Sequence, residues 1–184
     1  EKGVEYSLVN PNNHGIVQAE SIEKKIKKNT RLISIMYVNN ELGTINPIKE
    51  ISNLCHDKGI LFHTDAVQAF GKIPFNMNNI SVDFLSMSAH KLYGPKGVGG
   101  LFIRKGLSLE PLIYGGGQES NLRASTENVP GIAGFGMAVE LASKNLNKNL
   151  DYITSLETIF FNLLDMKHID YKINGTGRVP GVLN

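Results

Sequence analysis

Three apolar runs of strand length, "RLISIMYV" at 31–38, "ILFHTDA" at 60–66 and "VDFLSMSA" at 82–89, constrain the fold most. The first two are separated by a segment that reads as a helix. Strands alternating with helical patterns predict an α/β protein with a parallel sheet. The fourth run, "GGLFIR" at 99–104, breaks that rhythm. Only about a dozen residues separate it from Met87, too few for a helical crossover, so this strand is expected to run antiparallel.

The remaining elements follow from spacing. A short strand is expected at Tyr6–Val9, and a helix at Ser21–Lys28 with Ile22 and Ile26 on one face. Pro47 sits where a second helix would begin and Gly59 where it would end. Between them Ile48, Ile51, Leu54 and Cys55 fall at helical spacing, which makes Cys55 a core residue. A helix rich in small residues is expected from about 129 to 146. Another follows, with Ile153, Leu156, Ile159, Phe160, Leu163 and Leu164 on its apolar face. "YKIN" at 171–174 then begins a new strand. The opening "EKGVEYSLV" and the closing "RVPGVLN" both read as interrupted structure, so an internal piece of a longer protein is expected.

Composition removes several function classes. The 184 residues carry 19 Lys and Arg against 17 Asp and Glu, a net charge of +2, too balanced for a nucleic-acid partner. Lys24, Lys25, Lys27 and Lys28 cluster on a predicted helix and read as a solvated face. The longest uncharged apolar run, 32–38, is far below the ~18 residues of a membrane span. A single cysteine permits no internal disulfide and fits a reducing compartment. One cysteine and scattered histidines make a poor metal set, so no metal is expected.

In open parallel sheets ligands bind beyond the carboxyl ends of the strands. Asn40 follows the first run, Asp65 and Gln68 follow the second, and Ser88, His90 and Lys91 follow the third. Each has an ordinary alternative: Asn40 could close a turn, Asp65 could cap the next helix, and Lys91 could be a surface lysine. Their shared rim is what favours chemistry. His63, inside its strand, reads as a packed core histidine. The run "GPKGVGG" is not a phosphate loop, because no Ser or Thr follows its lysine and a strand comes next. Its proline and glycines serve a stiff turn that holds Lys91.

The blocks "NNELGTINPI", "HTDAVQAFGK", "SMSAHKLYGPKGVGGLFIRKG" and "GGGQESNLRASTENVPGIAGFGMA" resemble cysteine desulfurases of the NifS/IscS type. These belong to the class V aminotransferase branch of pyridoxal 5'-phosphate enzymes. "GGGQE" with "LR" and "TEN" is closer to this group than to the selenocysteine lyase and SufS-like group. The resemblance implies an aspartate aminotransferase-like large domain over 1–145, mostly parallel with one antiparallel strand. It also implies the start of an α+β small domain over 146–184.

By the same resemblance, Lys91 forms the Schiff base with the cofactor and Asp65 pairs with its pyridinium nitrogen. Asn40 and Gln68 lie near its phenolic oxygen, Ser88 and His90 bind its phosphate, and Thr126 reaches the phosphate of the partner subunit. L-cysteine as substrate, a homodimer, a sulfur-acceptor protein and a cytoplasmic setting are implied too. Where the family commonly has Arg-Gly and Ser-Gly, this chain reads Ser120-Asn121 and Ala124-Ser125, which implies a differently seated loop around Thr126. A first strand and a stacking histidine are expected upstream of residue 1. The sulfur-accepting cysteine and a substrate-binding arginine are expected downstream of 184, and Cys55 does not match that cysteine. Two other functions stay open: another class V transaminase or lyase, and a non-catalytic scaffold fragment.

Overall fold

The structure, a computed structural model, describes residues 3–74 and 76–184. Its centre is a sheet of four strands in the order β1 (Leu32–Met36), β2 (Leu61–Asp65), β3 (Phe84–Ser88) and β4 (Gly99–Ile103). The first three run parallel, and β4 pairs antiparallel with β3, as the short connection dictates. Registers place Ser34 beside His63, Asp65 beside Ser86, and Ser88 beside Gly99.

Helices α1 (Ala19–Glu23) and α2 (Ile48–Asp57) precede β1 and β2 respectively. Pro47 stands at the N-cap of α2, and Gly59, with φ +64°, turns the chain out of it. Ile48, Ile51, Ser52 and Cys55 form its buried stripe. They join Ile33, Val38, Phe62, Ala66 and Leu85 in one core. Phe62 is fully buried, so truncating it to Ala would cost about 3–5 kcal/mol.

Two long helices close the chain, α3 (Val129–Lys144) and α4 (Leu146–Met166). Asn128 caps α3, its side chain accepting from the Gly131 amide. Small residues let α3 approach the turn after β3: a Cβ on Gly134 would lie 2.6 Å from Pro95. The apolar side of α4 stays largely open, with Ile159, Phe160 and Leu163 about half exposed.

Three expected elements differ. Residues 6–9 form no strand, and Tyr6 and Leu8 are exposed, because no described segment pairs with them and a strand exists only within a ladder. The same holds for "YKIN", where Tyr171 instead stacks on Phe161 at 5.3 Å. The first helix ends at Glu23 rather than Lys28, since the lysines that follow repel one another at helical spacing. All four of those lysines are exposed.

Candidate active site

Parallel β1, β2 and β3 bring their carboxyl ends to one edge, and the chemistry-bearing residues follow from there. β2 alternates buried and half-buried positions, which sets His63 and Asp65 on its more open face and Phe62 and Thr64 in the core. Asp65 Oδ1 accepts from the Val67 amide at 2.9 Å, starting a tight helical turn. Its Oδ2 has no hydrogen bond among the described residues. Gln68, on that turn, is buried with 9% exposure.

After β3 the chain makes a 3-10 turn, Ala89–Leu92, ending in Tyr93 with φ 62°. Ser88 Oγ and His90 Nδ1 are hydrogen-bonded at 2.7 Å. The Ala89 carbonyl accepts from the Gly94 amide at 3.0 Å, tightening the loop under Lys91. Gly99 begins the return strand where a Cβ would meet the Met87 carbonyl at 2.7 Å. Lys91 itself is half-buried and lines a cavity of about 850 Å³ with Lys72, Pro95, Ala138, Leu141 and Pro180.

Asn40 is exposed in the turn after β1. It does not close that turn; Asn39 does, its Oδ1 accepting from the Glu41 and Leu42 amides at 2.9 and 2.8 Å. Thr126 is exposed in the loop before α3, where its carbonyl accepts from Ser125 Oγ at 3.1 Å. In that loop Glu119, Ser120 and Asn121 have φ of 48°, 57° and 65°, and Ser125 has φ 152°. Positions that favour glycine are therefore held by bulkier residues at a cost in strain.

The expectation of a packed core histidine is corrected. His63 is half-buried and bonded on both sides, to Ser34 Oγ through Nδ1 at 2.7 Å and to Ser86 Oγ through Nε2 at 2.8 Å. Burial holds its pKa below the usual value, with the charge of Asp65 pulling the other way. Lys72 is the other residue that sequence reasoning missed, although its i+4 spacing from Gln68 on a helical turn was a usable signal. Its Nζ donates to Gln68 Oε1 at 2.5 Å. Cys55 is buried, and burial, with the charge of Asp83, pushes its thiol pKa up to about 11. Such a thiol is a poor nucleophile at neutral pH.

The fold is that of NifS-like proteins. One solved structure so described superposes with a TM-score of 0.91 at 40% identity, over 97% of this chain and 50% of that one. Residues 1–176 match the family model for class-V aminotransferases, and the chain belongs to that family. The cysteine desulfurase IscS of Dictyoglomus turgidum is 47% identical over 184 residues, 99% of this chain and 47% of the relative. A structure of SspA in complex with cysteine matches at 46% identity with a TM-score of 0.73, covering 75% of this chain and 40% of that one. The chain thus spans about half the length of the curated relatives it matches.

Proposed function

We propose that this chain carries the cofactor centre of a pyridoxal-phosphate-dependent cysteine desulfurase, which converts L-cysteine to L-alanine and passes the sulfur to an acceptor thiol. The observation that carries this reading is the set of groups at the carboxyl ends of adjacent parallel strands: a lysine on a rigid turn after β3, with a carboxylate and a buried amide after β2; the cavity that Lys91 lines is not lined by these other groups. The donor set fits the group. Lys91 has no hydrogen bond or ion pair among the described residues, so its amine is available to bind a carbonyl compound. Asp65 keeps Oδ2 free to hold a ring-nitrogen proton, and Ser88 with His90 supplies donors for a phosphate.

When bound, the cofactor supplies an electron sink for bond cleavage at the substrate's carbon framework. The chain's part is to fix and polarise it. Asp65 would hold a proton on the ring nitrogen, Lys91 would bind the carbonyl group and move protons, and Asn40 and Gln68 would donate to the ring oxygen. Cys55 is not the sulfur acceptor, because it is buried in α2. The identity of the curated desulfurases and the cysteine-bound relative support L-cysteine as substrate.

A homodimer, with Thr126 reaching the partner's phosphate site, a cytoplasmic setting and a small domain beginning near residue 146 belong to the same reading. So does sulfur delivery for iron–sulfur cluster or thio-cofactor synthesis. The full-length protein given pyridoxal phosphate, L-cysteine and a thiol reductant is expected to form alanine and sulfide in equal amounts. Amino transfer to a keto acid without sulfide would instead assign it to another class V activity.

A further inference from the structure

Lys72 stands outside the set of residues discussed for cofactor binding, yet it touches one of them. It lies one helical turn after Gln68 and donates from Nζ to Oε1 at 2.5 Å. An ammonium has donors and no acceptor, so it can take only the oxygen end of an amide. That fixes which way the Gln68 amide faces. Nε2 becomes the remaining end, and it has no hydrogen bond among the described residues although Gln68 is only 9% exposed. No side-chain nitrogen among the described residues is both fully buried and unpartnered, so this N–H₂ end is open to a ligand or to water.

Lys72 has no acidic partner either: no carboxylate among the described residues forms an ion pair with it, and it lines the same cavity as Lys91. A half-buried cation left unpaired in this way is costly as a mere structural element.

We propose that Lys72 is a positioning residue that locks the Gln68 amide with its N–H₂ end free, so that Gln68 donates to an anionic ring oxygen of the cofactor. The proposal rests on the cofactor-binding reading above and goes beyond it in assigning the polarity of Gln68 to a second lysine. Burial and the neighbouring charge of Lys91 both lower the proton affinity of Lys72, in keeping with two lysines sharing one enclosure.

The test uses the full-length protein loaded with pyridoxal phosphate and follows the pH at which the bound chromophore changes its absorption. Lys72→Met and Gln68→Ala should each move that transition to higher pH by about one pH unit, the effect of losing one hydrogen bond to a charged oxygen. The double variant should move it no further than Gln68→Ala alone, because Lys72 acts through Gln68. Lys72→Arg, which keeps a donor, should restore it, and Lys72→Ala serves if Lys72→Met does not fold. A chromophore that titrates normally in the Lys72 variants, or additive shifts in the double variant, would overturn the proposal. A wild-type protein that forms no chromophore at Lys91 would overturn the cofactor reading itself, a result distinct from either.

Discussion

Asp65 carries two tasks on two oxygens, and one substitution separates them. Asp65→Asn keeps an oxygen for the Val67 amide, so the turn survives, but it removes the charge that would hold a ring-nitrogen proton. We expect the full-length variant to retain cofactor while turnover falls about 10²-fold, the scale of losing one preorganised electrostatic contact. Near-normal sulfide production would reduce Asp65 to a turn residue. His63 gives a second prediction, in stability. Its pKa in the fold lies below the ordinary 6.5, so the folded state disfavours the proton that the unfolded chain accepts. Its contribution is therefore complete above pH 6.5 and is lost as pH falls toward the folded value. Thermal melts should show a smaller loss between pH 7 and 5 for His63→Gln than for wild type; equal losses would contradict this. Sequence reading put His63 in the core, whereas the alternation of β2 in the fold puts it on the more open face. Its serine partners were not legible in the sequence, because they depend on the register of β1 and β3.

At the scale of elements, periodicity and chain length located β1 to β4, α2, α3 and α4, including the antiparallel return. What it missed was whatever needs a neighbour: the segments 6–9 and 171–174 have strand composition without a ladder. The loop before α3 shows a different limit. Substitution of family glycines by Asn121 and Ser125 was visible, but not that Glu119 and Ser120 would share the left-handed backbone. Ser tolerates that region less well than Asn. Ser120→Gly should therefore stabilise the protein by about 0.5–1 kcal/mol, with part of the strain relief offset by the freer unfolded chain. Asn121→Gly should gain less. Urea unfolding midpoints for the two variants provide the check, and a loss of stability in Ser120→Gly would mean the side chain has an undetected role there.

The whole molecule explains why the rim and the activity need not coincide in this chain. It spans about half the length of its curated relatives, and the apolar side of α4 is half exposed. The rim residues lie within these 184 residues, yet the only cysteine is buried with its thiol pKa near 11. The chain alone, saturated with pyridoxal phosphate and L-cysteine, should give no steady alanine or sulfide above free cofactor. Turnover abolished by Cys55→Ser would show that the acceptor thiol is misassigned. The central claim is that Lys91 is the cofactor lysine, and its most direct test is chemical. The full-length protein is incubated with pyridoxal phosphate, reduced with borohydride, digested and mapped. The label is expected on Lys91 alone, on the turn after β3. A label on Lys72, which lines the same cavity, or on Lys96 or Lys105 farther along the chain, would contradict it.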